Sequence, residues 1–257
     1  MLRVATFPRP DWQKRVESQG LLFHSVDGDP YWDEGAYYLF ESHEIDLIER
    51  ATYELDAMCL ELVDHVISEG RLDELEIPEQ FHDFVATSWE RDERTIYGRF
   101  DLAYDGMSPP KLLEYNADTP TSLLEAAVIQ WFWMNDLIDP LDDDERGKID
   151  QFNSLHERLI EAWRTVRKEL GGRVAFAALT ESVEDFMTVT YLRDTAIQAG
   201  MKTLTLDIAQ VGWNSRRRVF TDLREWEIEL LFKLYPWEWM LREEFGRNLP
   251  DSPTRWL

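Results

Sequence analysis

The stretch HEIDLIERATYELDAMCLELVDHVIS, residues 43 to 68, places Ile48, Ala51, Leu55, Met58, Leu62 and Val66 three or four residues apart. That spacing puts them on one stripe of a helix, and Gly70 follows as a stop. PEQFHDFVATSWER (78 to 91) reads as a second helix, with Pro78 tolerated in the first turn. The period then changes. TIYGRFDLAY (95 to 104) alternates apolar and polar residues, KLLEYN (111 to 116) can do the same, and DGMSPP between them is turn chemistry, so a β-hairpin is predicted. SLLEAAVIQWFWMNDLI, from Ser122, is a helix, and Ser122 and Glu125 have the spacing of a capping box at its start.

The second half has a different rhythm. DQFNSLHERLIEAWRTVRKEL is helical and ends at Gly171-Gly172. RVAFAALT is a strand, SVEDFMTVTYLRDTAIQAG a helix, and MKTLTLDI another strand. A strand, a helix of ordinary length and a strand make a βαβ unit with a parallel pair. EIELLFKLY adds an apolar strand and PWEWMLREEFG a short helix, so the fold class is α/β, or mixed α+β.

Composition narrows the partners. The 257 residues carry 27 basic and 51 acidic side chains, a net charge of −24. Such a surface repels nucleic acid and anionic lipid and favours cations, whether metal ions or polyamines. Cys59 is the single cysteine, which excludes an intrachain disulfide framework and a cysteine-rich zinc site; its apolar helical setting reads as a buried thiol. No apolar run has signal-peptide or membrane-span length, so a cytoplasmic location is the default. The five histidines lack metal-site spacing, Arg216 to Arg218 read as a charged turn between strands, and GDPYWDEGAYYLF reads as a packed loop whose acids and aromatics suit a cation.

Strand alternation gives the hairpin its chemistry. With residues 105 to 110 as the loop, Tyr104 pairs with Lys111, Asp101 lies opposite Glu114, and Arg99 lies opposite Asn116. Two carboxylates ~5 Å apart repel by about 3 kcal/mol at an effective dielectric of 20. Arg99 relieves part of that repulsion and a divalent cation would relieve more, Mg²⁺ being held typically by one or two carboxylates, waters and substrate phosphates. The competing reading is a charged strand face turned to solvent.

YGRFDLAYDG followed by PPKLLEYNADTPTSLLE resembles the signature of the glutathionylspermidine synthase family in its form without an amidase domain, and blocks such as GLLFHSVDGDPYWDEGAYYLF, DFMTVTYLRDTAIQAG and LFKLYPWEWM extend the likeness nearly end to end. The resemblance implies an ATP-grasp-like ligase fold. It also implies a carboxylate–amine ligation in which ATP activates a carboxylate as an acyl phosphate and an amine displaces the phosphate. The substrates it implies are the glycine carboxylate of glutathione, a thiol peptide, and a polyamine, with ATP as co-substrate and Mg²⁺ as cofactor. Carried over by position, Asp101, Glu114 and Asn116 would be the Mg²⁺ ligands, and Arg99 would contact the transferring phosphoryl group. Thr119, Thr121 and Ser122 would lie on the glutathione side, with Glu184 and Asp185 as an acidic pair near the substrate. Residues 1–170 are expected as an α+β portion holding the 95–116 hairpin, and 171–257 as a βαβ, pre-ATP-grasp-like portion. Family members run on past DSPTRWL, so the expected fold is incomplete, without the C-terminal segment that supplies the nucleotide-gripping lysines. The alternative is a catalytically inactive binding module for a thiol peptide, polyamine or protein partner. The sequence assigns no oligomeric state.

Overall fold

The computed structural model describes residues 1–257. In chain order it comprises β1 (Leu2–Ala5), β2 (Ala36–Leu39), α1 (Ser42–Ser68), α2 (His82–Glu90), β3 (Arg99–Ala103), β4 (Lys111–Asn116), α3 (Gln130–Ile138), α4 (Leu155–Leu170), β5 (Arg173–Ala178), α5 (Val183–Gln198), β6 (Lys202–Asp207), β7 (Leu230–Leu234) and β8 (Arg255–Trp256), with several shorter pieces between. The mixed α/β class expected from the sequence is the one observed.

The centre is a four-stranded sheet in the order β8-β7-β5-β6. Its neighbours all pair in parallel, with Phe176 beside both Phe232 and Thr205. Parallel strands need both faces covered, so their sequences run almost continuously apolar. Alternation sorts them. Val174, Phe176, Ala178, Leu230, Phe232 and Leu234 face one core with Trp163 of α4 and Leu192 of α5. Ala175, Ala177, Leu206 and Leu231 face a second core with Phe81, Phe220, Met240 and Trp256. The first core also takes in Val16, Leu21 and Ile129, so the N-terminal half packs directly on the sheet.

Several expectations are corrected. α1 forms and ends at Gly70, whose φ of 66° suits a residue without a side chain. Its apolar stripe is covered unevenly: Val66 is buried and Ile48, Ala51 and Leu55 are half-buried, whereas Met58 is 63% and Leu62 is 59% exposed. Cys59 on the same helix is half-buried rather than enclosed. The β1–β2 pair, joining Leu2 to Leu39 and Ala5 to Ala36, has no counterpart in the sequence reading. The capping box at Ser122 is absent. Ser122 lies in the left-handed region at φ 66°, and the chain runs through a wide turn, Glu125–Ile129 with i to i+5 bonding, before α3. Arg216 to Arg218 do form a turn, between Gly212–Asn214 and Val219–Thr221, with Arg218 2.7 Å from Asp251.

Candidate functional site

β3 and β4 pair antiparallel with Arg99 opposite Asn116, Phe100 opposite Tyr115 and Asp101 opposite Glu114. The register then shifts: Leu102 meets Leu112 and Ala103 meets Lys111, not Tyr104 with Lys111, so Leu113 is the extra residue of a bulge. A bulge bends its strand and re-aims the side chains next to it. This one is adjacent to Glu114. Gly98 has an equally local reason. A Cβ there would stand 2.7 Å from the Tyr115 ring, which stacks on Phe100 at 4.1 Å between centroids.

The polar face is knit by Arg99. Its Nε donates to Asp101 Oδ1 at 2.9 Å and its Nη2 to Oδ2 at 3.2 Å, while Nη2 lies 3.6 Å from Glu114 Oε1. These bonds hold the Asp101 carboxyl below the usual carboxylate range and raise the guanidinium in return. Asn116 Oδ1 accepts the Thr119 amide at 3.1 Å, which folds the chain back after the strand and leaves that oxygen a second lone pair. No three His, Cys, Asp or Glu side chains gather as a metal-binding group anywhere in the structure. Two carboxylates and one amide oxygen are nonetheless the hard-oxygen set that suits Mg²⁺ when water and phosphate complete the shell, so the donors fit that ion.

The segment after the hairpin is fastened at four points. Tyr97 donates to Pro120 O at 2.5 Å, and Arg99 Nη1 to Thr121 O at 3.4 Å. Ser122 Oγ lies 3.1 Å from the Tyr31 hydroxyl. Asp118 reaches across the fold. Its Oδ2 accepts the Trp237 amide at 2.8 Å just past the end of β7, and its Oδ1 pairs with the ammonium of Lys233 within β7. The hairpin is thereby joined to the carboxyl end of the parallel sheet, the edge where open α/β sheets bind ligands. Glu184 and Asp185 are at the same edge, in the first turn of α5 just after β5, where the Ser182 hydroxyl accepts the Asp185 amide.

Two further groups stand here to which sequence reasoning gave no place in the site. Glu125 is only 8% exposed, and burial raises its carboxyl, an effect that the Tyr31 hydroxyl opposes and Glu184 reinforces. The phenol of Tyr31 is itself raised by burial, with Glu125 and Glu184 adding to the effect. These mutual influences bring Tyr31, Ser122, Glu125 and Glu184 into one neighbourhood, with Arg99 also sensing Tyr31. The sequence reads Glu125 as the capping-box partner of Ser122, a helix-start role that gives no sign of burial.

Comparison with known proteins decides the family: the one described as glutathionylspermidine synthase preATP-grasp matches residues 3–257. The chain belongs to that family. A protein of Haemophilus influenzae named putative acid–amine ligase is 38% identical over 263 residues, a match covering 100% of this chain and 65% of that protein. Trypanothione synthetase of Crithidia fasciculata is 28% identical over 178 residues, covering 68% of this chain and 26% of that enzyme. The chain thus spans under two thirds of the length of the relatives it matches. The family's preATP-grasp description agrees with the observed mixed α/β fold. No helix of the chain is long and apolar enough to cross a membrane.

Proposed function

We propose that this chain forms the metal- and substrate-holding part of an ATP-dependent carboxylate–amine ligase, which joins the glycine carboxylate of glutathione or a similar thiol peptide to a polyamine or other amine. The observation that carries the reading is the pairing of Asp101 with Glu114 across one hairpin rung, with the Arg99 fork reaching both carboxylates. In the first half-reaction a carboxylate oxygen attacks the γ-phosphorus of ATP, the bond to ADP breaks, and an acyl phosphate results. In the second, the amine nitrogen attacks the acyl carbon, phosphate leaves, and the nitrogen gives up a proton.

Each residue then has a task. Arg99 offers a planar set of donors to the phosphoryl oxygens as their charge shifts, having been aimed by Asp101 and by the Thr121 carbonyl. Asp101, Glu114 and Asn116 present oxygens to Mg²⁺, which when bound neutralises the phosphate charge. Thr119, Thr121 and Ser122 take the acid substrate, and Glu184 and Asp185, with the buried Glu125 behind them, draw in the ammonium form of the amine. The name of the Haemophilus relative supports an acid–amine ligation, and that of the Crithidia enzyme supports the substrate class.

The test is Asp101→Asn beside Glu114→Gln in an assay for phosphate released only when acid, amine and ATP are all present. Both substitutions keep size and shape on an exposed face, so melting should stay put while turnover falls by at least ~10²-fold. Wild-type turnover in either variant would remove the hairpin from the mechanism.

A further inference from the structure

Lys233 is out of place by composition. It sits in LLFKLY, in the middle of a parallel strand whose other residues are apolar, and it is 2% exposed. A buried ammonium is strongly unfavourable unless it is paired and hydrogen-bonded. Here it is satisfied in full: it pairs with Asp118, donates to Tyr235 O at 2.9 Å, and lies 4.3 Å from the centre of the Trp237 ring. Asp118 is satisfied in turn, because its second oxygen accepts the Trp237 amide at 2.8 Å. The two partners are 115 residues apart in the chain. Among the hydrogen bonds of residues 116 to 122, those of Asp118 alone reach the strand–turn segment that ends the parallel sheet; the others go to Tyr31, to Tyr97 and Arg99, to the Ala126 amide, or within the segment.

We infer that Asp118 and Lys233 are positioning residues: their ion pair fixes the segment 116–122 against the carboxyl end of the sheet, so that Asn116, Thr119 and Thr121 on the hairpin side share one space with Glu184 and Asp185 on the sheet side. This rests on the roles proposed above for Asn116 and the threonines. A carboxylate that binds an ammonium with one oxygen and a backbone amide with the other sets direction as well as distance. An apolar contact between the same two segments would permit sliding.

The experiment compares the wild type with the double variant Asp118→Asn/Lys233→Met, which removes both charges at similar volume; such neutral replacements of a buried pair are commonly tolerated. Lys233→Met alone, which leaves the partly exposed Asp118 carboxylate to water and the Trp237 amide, is the second variant. Mn²⁺ alone is the probe, its affinity followed by electron spin resonance, and amide hydrogen exchange is read separately over 116–122 and over the strand 173–178. The expected result is unchanged exchange in the strand, faster exchange over 116–122, and Mn²⁺ affinity lower by about tenfold, equivalent to ~1.4 kcal/mol. A folded variant with wild-type affinity and wild-type exchange over 116–122 overturns the inference. So does loss of protection in the strand in both variants, since the pair would then be a plain stability element. If the wild type itself binds no Mn²⁺, the metal reading fails, and the exchange over 116–122 decides the positioning role by itself.

Discussion

Leu231 and Leu113 are both strand leucines, yet one is 0% and the other 69% exposed. Leu231 is in a parallel strand with cores on both faces; Leu113 is the bulged residue of a two-stranded hairpin. The sheet gains its stability from burial, and it tolerates a charge only where a partner crosses the fold to meet it, as Asp118 does for Lys233. The hairpin is held by one aromatic stack, by Arg99 and by ties to its neighbours. Reactive carboxylates belong on the second kind of element, where water and a charged ligand can reach them, and the first kind supplies the rigid frame.

The contrast is broken most severely in the core. Trp163 is fully buried, packs edge-on against Phe176 and Phe232, and donates its indole N–H to the Thr195 hydroxyl at 3.1 Å. Trp163→Ala should lower the unfolding free energy by about 3–5 kcal/mol. Urea titration checks it, and a loss below ~1 kcal/mol would show that this core is not the frame described here.

The hairpin should answer in the opposite way. Arg99→Lys keeps the charge but loses the planar fork on Asp101. Turnover of the proposed ligation should fall by ~10²-fold with little change in the melting midpoint, because the pair is partly exposed and worth little to stability. A large drop in melting temperature with turnover retained would reverse the roles assigned to the two regions.

How much of this was legible depended on whether the signal was local. The βαβ unit was readable because RVAFAALT and MKTLTLDI are short apolar runs around a helix of ordinary length, and the Asp101–Glu114 rung followed from strand alternation with the assumed 105–110 loop, whose one-residue error the bulge offsets. The bulge at Leu113 was not, since a shift of one residue leaves no trace in composition. Lys233 carried a readable sign, a lysine inside an apolar strand, but nothing in the sequence pointed to Asp118 as its partner 115 residues away. α1 was read correctly as a helix, and its Cys59 wrongly as a buried thiol, because periodicity reports a face and not what covers it.

A smaller effect sharpens the hairpin side. Gly98→Ala would bring a Cβ to 2.7 Å from the Tyr115 ring, so the stack on Phe100 has to shift. Overpacking of this kind destabilises by about 1–3 kcal/mol. Near-ultraviolet circular dichroism should register the displaced tyrosine; an unchanged spectrum and midpoint would mean the ring turns aside without strain.

At the sheet's carboxyl edge, Asp207 accepts the Thr180 hydroxyl at 2.6 Å, the Thr180 amide at 3.0 Å and the Ala209 amide at 2.9 Å. The Thr180 bonds lead in holding its carboxyl below the reference value of 3.8. A depressed folded value means that the contribution is present above the unfolded pKa and is lost as pH falls through the folded one. The stability gap between wild type and Asp207→Asn should therefore be level at neutral pH and close as pH falls through and below the ordinary aspartate range. A gap that stayed constant as the carboxylate was protonated would assign it no linkage to folding.

The smallest effects belong to the open side of α1. Tyr53, Met58 and Leu62 are already exposed, so exchanging them for polar residues removes little buried surface from the native state. Met58→Gln and Leu62→Gln should each change stability by no more than about 0.5 kcal/mol, the range usual for surface positions. Met58, Leu62 and the fully enclosed Leu231 differ little in apolar size, yet Leu231→Gln would bury an amide with no partner and should fail to fold. Chemical denaturation of the three variants side by side compares burial with composition directly. If Leu62→Gln lost more than ~1.5 kcal/mol, the stripe predicted from periodicity would be covered in solution, and the open face of α1 would have to be redrawn as an interior one.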